Sequence, residues 1–207
     1  MTSRYRVALA AACVALLGLV TPSALRADNL VNNGGFETGD LTGWTFTAAP
    51  GNEGGDTDFN VGGQGNNPNS GSFSANFGAY GNDYDTIAQT LSTTGGSSYT
   101  VSFWLANSYS SGSSRGIADF QALWNGTSLE DIVTTTSFGY TEFTFDVTGT
   151  GSDTLSFEGY NAPSWTNLDD VSVSTDESAL TPEPSSFYLL GTGLAGLCGL
   201  IRRKLRA

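Results

Sequence analysis

Alternation of period two is the feature that most limits what this chain can fold into. Tyr99, Val101, Phe103 and Leu105 alternate with Thr100, Ser102 and Trp104, the pattern of a strand with one face buried and the other in water. Phe120, Ala122 and Trp124 repeat it and run into Asn125-Gly126, a pair favoured in tight hairpin turns. Phe143, Phe145 and Val147 continue the pattern, as do Leu155 with Phe157 and Val171 with Val173. Leu30–Glu37, Trp44–Thr47, Phe73–Phe77 and Thr86–Leu91 read as further strands, and no window sustains a helical period. Short strands joined by Gly, Asn, Ser and Thr predict an all-β, two-sheet sandwich. Pro50–Ser72, rich in Gly and Asn, is the one long irregular stretch, either a binding loop or a mobile excursion.

The two ends of the chain carry a different signal. Arg4 and Arg6 precede the apolar run Val7–Val20, Thr21-Pro22 breaks it, and small residues follow. This order predicts a Sec-type signal peptide over residues 1–27, cleaved after Ala27 or Ala24. At the other end Pro182, Glu183 and Pro184 precede the apolar run Phe187–Ile201, and Arg202, Arg203, Lys204 and Arg206 close the chain. A polar spacer, a membrane-seeking helix and a positive stop are laid out in that order. Fifteen residues make a helix of about 22 Å, short of a hydrocarbon core of about 30 Å. The anchor is therefore a short one, which would span only with local thinning of the bilayer or with its basic flank snorkelling outward. The sequence thus divides into a signal peptide (1–27), a β-sandwich body (28–175), an acidic Pro-containing linker (176–186), a membrane segment (187–201) and a basic cytoplasmic tail (202–207).

Between the two ends charge is one-sided. All 20 Asp and Glu lie from Asp28 to Glu183, against the single arginine Arg115. Such a body repels nucleic acid and attracts divalent cations, so nucleic-acid binding is excluded by the lack of a basic footprint. Cys13 and Cys198 fall in the two terminal segments, which leaves the body without a disulfide.

Histidine is absent throughout, and Lys and Cys are absent from the body. The usual bases for acyl transfer and the commonest transition-metal ligand are therefore missing. Glycoside hydrolysis needs only two carboxylates, and Glu130 with Asp131 or Glu142 with Glu158 are the pairs that would be tried. Nothing in the sequence selects them over solubilising charges, and the body reads as non-enzymatic. Asp56-Thr57-Asp58-Phe59-Asn60 spaces its oxygens like the start of an EF-hand, but Val61 stands where that loop needs Gly. A solvated acidic loop is the better reading. Tyr80, Tyr84, Tyr109, Tyr160 and Trp165 lie in Gly-, Ser- and Asn-rich surroundings outside the alternating core positions. They are the candidates for stacking on sugar rings, unless they close the ends of the sandwich.

The C-terminal arrangement of Pro182-Glu183-Pro184, apolar run and Arg202-Arg203-Lys204 resembles the PEP-CTERM sorting signal of exopolysaccharide-producing Gram-negative bacteria. In the body, Asn33-Gly34-Gly35-Phe36-Glu37-Thr38-Gly39 with Trp44, Tyr99–Leu105, and Leu168-Asp169-Asp170-Val171-Ser172-Val173 resemble galactose-binding-like jelly rolls, the fold of many carbohydrate-binding modules. The first resemblance implies Sec export, transient anchoring in the inner membrane, and processing by an exosortase-type enzyme that recognises the tail. Release to the cell surface or extracellular matrix would follow. The second implies a jelly roll whose first and last strands lie side by side, and association with exopolysaccharide. It also implies a structural Ca²⁺ held by Glu37 with Asp170 or Asp169. A purely structural surface protein and a carboxylate-based glycosidase are the alternatives.

Overall fold

The computed structural model describes residues 28–50, 59–62, 68–79, 83–110 and 117–175. The signal peptide, linker, membrane segment and basic tail, together with Tyr80, Arg115 and Asp56–Asp58, lie outside the described residues.

Ten strands form two antiparallel five-stranded sheets. They are β1 (Thr45–Thr47), β2 (Phe59–Val61), β3 (Ala75–Phe77), β4 (Asp85–Ser92), β5 (Ser98–Ser108), β6 (Ala118–Trp124), β7 (Thr127–Thr134), β8 (Phe138–Thr148), β9 (Ser152–Tyr160) and β10 (Trp165–Thr175). Sheet A runs β1-β4-β9-β6-β7 and sheet B runs β2-β3-β10-β5-β8. Apart from the hairpins β2–β3 and β6–β7, every connection crosses from one sheet to the other. The result is a jelly-roll sandwich.

The alternation read in the sequence sets the two faces. Tyr99, Val101, Phe103 and Leu105 of β5 are buried, while Thr100, Ser102 and Trp104 face outward. Aromatic rings fill the space between the sheets. Phe103 of sheet B meets Phe157 of sheet A at 5.1 Å and its own neighbour Phe143 at 5.4 Å. Phe77 meets Phe120 edge-on at 5.5 Å, a geometry that adds to simple area burial. Trp44 stacks on Phe36 at 5.7 Å and reaches Phe157 at 6.1 Å, closing the core beside β9.

Three expectations need correction. Leu30–Glu37 is not a strand, because Asn33 and Phe36 both take positive φ, 54° and 56°, and fold the segment into turns. It still lies beside β10, joined by Leu30 N to Val173 O and by Val171 N to Gly34 O. A Cβ on Gly34 would stand 2.0 Å from Val171 O, so only glycine allows that approach. The stretch Pro50–Ser72 is not wholly irregular, since β2 inserts Phe59 into the core. Thr127–Thr134, left without an element by the sequence, is the edge strand β7.

Candidate functional site

The outer side of sheet B carries polar rows, buried at Asn76, Asn167 and Asp169 and open to water towards β5 and β8. Pairing across β2, β3, β10 and β5 aligns Asn60, Asn76, Asn167 and Ala106 in one row. The next row aligns Asp169, Trp104 and Glu142 across β10, β5 and β8. Beyond the bulge between Asp169 and Ser172 come Ser172, Ser102 and Thr144, then Ser174, Thr100 and Asp146. Trp104 is half-buried and Glu142 exposed. An indole thus lies between two carboxylates on a face otherwise made of small hydrogen-bonding side chains.

The asparagines form a ladder. Asn76 Nδ2 donates to Asn60 Oδ1 at 2.8 Å, and Asn167 Nδ2 donates to Asn76 Oδ1. Tyr140, one outward position from Glu142 on β8, brings its hydroxyl towards Ser74 and the Asn69 backbone without reaching hydrogen-bond geometry with either. Burial, with the charges of Asp169 and Asp170 adding to it, pushes that phenol up to about 12.

The acidic flank of this face contains the residues expected to hold a cation. A Cβ built on Gly35 would stand 3.6 Å from Asp170 Oδ1, 3.7 Å from Glu37 Cγ and 3.9 Å from Asp169 Oδ1. Glu37, Asp169 and Asp170 therefore gather around Gly35, with the Glu37 carboxylate turned towards Gly71, Ser72 and Phe73. Their donors come from one segment. Asn69 N and Ser70 N donate to Asp169 Oδ2 at 2.8 and 3.1 Å, and Asp170 N donates to Asp169 Oδ1 at 2.7 Å. Asp170 accepts from Asn69 Nδ2 and Ser70 Oγ, and Glu37 Oε1 accepts from Ser72 N and Phe73 N. Gly71, at φ 62°, fits against the Glu37 carboxylate where any side chain would collide. Burial pushes Asp169 up to about 6, with the Asp170 charge adding to it and the three amide donors opposing it. Among the described residues no three acidic side chains converge closely enough to chelate a metal by themselves. The donor set is nonetheless all oxygen, the chemistry of a hard cation, and backbone carbonyls would have to complete the shell.

The sugar-contacting candidates come to one end of the sandwich, where β9 stops and β4 and β10 start. Tyr84 precedes β4, Tyr109 follows β5, and Trp165 opens β10 opposite Ser108. Tyr160 requires correction: it is fully buried with Ala49 and Ala79, so it supports this end and offers no ring to a ligand. The Tyr84 hydroxyl donates to Asp119 Oδ2 at 2.7 Å. Nearby, Asn161 Nδ2 donates to Asn107 Oδ1 and Thr166 Oγ1, and a narrow cleft beside Asn107 and Thr166 has no room for water. Among the described residues this end offers only that narrow cleft, closed by the hydrogen-bonded Asn107, Asn161 and Thr166.

Glu142 and Glu158 cannot act as a pair, because they stand on the outer faces of opposite sheets. Glu130 and Asp131 are neighbours on edge strand β7, pointing to opposite sides. Trp104 was the residue the sequence reading passed over. Its signal is an aromatic ring in the water-facing register of β5, where Thr100 and Ser102 set the pattern.

No protein-family model and no curated protein sequence matches the chain. Among solved structures it is similar to the carbohydrate-binding module TmCBM61 in complex with β-1,4-galactotriose, with a TM-score of 0.52 and 17% identity. That match covers 72% of this chain and 100% of the module. It is also similar to the K3 and K1 cleaved adhesin domains of Lys-gingipain from Porphyromonas gingivalis W83, with TM-scores of 0.53 and 0.51 at 18% and 12% identity. These cover 72% and 68% of this chain and 98% and 95% of the domains. At such identities the likeness is one of fold.

Proposed function

We propose that this is a non-catalytic protein of the cell surface or extracellular matrix, exported and sorted by a PEP-CTERM-type tail, whose sandwich associates with polysaccharide. The observation that carries the binding reading is Trp104, held in the water-facing register between Asp169 and Glu142. A pyranose presents an apolar C–H face that stacks on an indole, and its hydroxyls can donate to the exposed Glu142 carboxylate, while Asp169 is buried and already engaged. Asn, Ser and Thr along the same face both donate and accept. No Lys or Arg occurs among the described residues. A polymer of uronate or sulfate would meet only like charge there, so the fitting ligand is uncharged or carries amino groups.

Structural Ca²⁺ belongs to the same proposal. Glu37 and Asp170 would hold it beside Asp169, fixing the segment Asn69–Phe73 along the edge of the binding face. The ion supplies charge neutralisation where three carboxylates gather without a basic partner.

Titration of the full-length protein with neutral, amino and uronate polysaccharides, with and without a chelator, tests these readings. Trp104→Ala is expected to weaken binding of the uncharged or amino polymer by about tenfold or more without lowering the melting temperature. Chelation is expected to lower that temperature. Unchanged affinity in Trp104→Ala, with loss in Tyr109→Ala and Trp165→Ala, would move the site to the end of the sandwich. Binding that turns over its polymer would make the protein an enzyme.

The sorting reading rests on Pro182, Glu183, Pro184 and the basic Arg202, Arg203 and Lys204. Glu183→Ala is expected to leave the exported chain unprocessed and membrane-bound in its native host, as read by its size and fractionation. Normal processing of that variant would remove the tail from the account.

A further inference from the structure

A buried lock closes the end of the sandwich where β4 stops and β9 starts. Asp153 is fully buried and accepts from four donors. They are Thr93 Oγ1, Thr150 N at 2.9 Å, Thr150 Oγ1 at 2.7 Å and Asn125 Nδ2 at 2.6 Å. Asn125 Oδ1 in turn accepts from Thr154 N at 2.8 Å. One carboxylate therefore ties together the β4–β5, β6–β7 and β8–β9 connections, balanced by dipoles alone. Asn125 opens the two-residue turn after β6 with φ at 51°, and Gly126 follows at 76° with nothing near its missing side chain.

We propose that Asn125 is a deamidation site kept intact by this lock, and that its conversion to a carboxylate opens this end of the sandwich. The Gly126 backbone nitrogen, giving its proton to solvent, attacks Asn125 Cγ. The new C–N bond closes a succinimide and ammonia leaves. Water then opens the ring to aspartate or isoaspartate. Glycine in the following position offers the least steric resistance to that closure, and the open space around Gly126 leaves the turn accessible.

In the folded protein both ends of the Asn125 amide are engaged, so rotation into attack must first break a charge-assisted hydrogen bond to Asp153 and the bond from Thr154 N. The product loses the Nδ2 donor and sets a second carboxylate against Asp153 Oδ1. Two carboxylates in direct contact, one of them buried, cannot both ionise without cost, so the pair retains a proton or separates. The remaining groups facing Asp153 are the Thr93 and Thr150 hydroxyls and the Thr150 amide. Tyr99 of β5, whose hydroxyl accepts from Thr94 N in the β4–β5 connection, is a titratable side chain nearby, and no cation is among the described residues. For a protein that persists outside the cell this makes Asn125 an ageing position.

Two measurements on the full-length protein decide it. Peptide mapping after incubation at mildly alkaline pH should find Asn125 converted about tenfold or more faster in denaturant than in the folded protein. Asn125→Asp should melt near the wild-type temperature in acid, with a deficit that widens as pH rises. Equal conversion rates in the two states, or a variant melting like wild type at neutral pH, would overturn the proposal. If Asn125→Asp does not fold at any pH, the conversion rates alone decide.

Discussion

Asp85 and Asp153 face the core from opposite ends of two paired strands, β4 and β9, and are buried almost equally, at 1% and 0% exposure. Their chemistry is opposite. Asp153 has four donors, and although burial works against its charge, the Thr93, Thr150 and Asn125 hydrogen bonds hold it well below the usual carboxylate range. Asp85 has one donor, Ala49 N at 3.0 Å, and its Oδ2 has none. Burial accordingly pushes Asp85 up, and the single amide only partly opposes it. Among the described residues neither has a cation beside it. The direction at each carboxylate follows the hydrogen bonds to its charged form, four at Asp153 and one at Asp85, with desolvation opposing them at both. The contrast also distinguishes the ends of the sandwich. The Asp153 end is knitted from three connections, and the described chain leaves it at Thr175. The Asp85 end carries Tyr84, Asp119 and Asn161, with buried oxygens of Asp85, Asp119 and Asn161 lacking any partner.

The largest expected effect breaks the well-satisfied end. Asp153→Ala removes one acceptor that serves four donors and unties the Thr93, Thr150 and Asn125 side chains from the buried centre. The cost is expected to be about 3 kcal/mol, a fall of about 10 °C in melting temperature. Calorimetry checks it, and a loss no larger than that of an exposed threonine would show that the lock does not hold the end together. The pH dependence carries a definite sign. Because the folded value of Asp153 is depressed, its contribution is present above the ordinary value of 3.8 and is lost as pH falls through the folded value. Acid should therefore erase much of the difference between wild type and Asp153→Ala.

How far the sequence foretold these features follows from the range of the signals. Period-two alternation is local, so β4, β5, β6, β8, β9 and β10 were legible, and so was the Asn125-Gly126 hairpin. β7 was not, because as an edge strand it buries neither face well, and Ser128, Glu130 and Asp131 dilute its alternation. Leu30–Glu37 looked like a strand because a short apolar pattern does not reveal positive φ at Asn33 and Phe36. Glu37, Asp169 and Asp170 lie around Gly35, yet the donors Asn69 and Ser70 are 100 and 99 residues from Asp169 and leave no trace in the local pattern. The lock is similar: Thr93 is 60 residues from Asp153 and Asn125 is 28. Trp104 differs: its place in the water-facing register of β5, beside Thr100 and Ser102, is visible in the local alternation itself.

The smallest effect belongs to Asp85, and it sharpens the comparison through its sign. A raised folded value means that between the ordinary 3.8 and that value the folded state holds more protons than the unfolded one. The contribution of Asp85 is thus complete below 3.8 and declines as pH climbs through the folded value, the reverse of Asp153. Asp85→Asn keeps an oxygen for Ala49 N and cannot ionise. It should match wild type in acid and become the more stable of the two at neutral pH, by about 1 kcal/mol or less. Denaturant titrations at two pH values read the difference directly. A variant less stable by the same amount at both pH values would mean that the ionised Asp85 has a partner as good as those of Asp153. The two ends of the sandwich would then differ in the number of connections they tie and not in how they treat a buried charge.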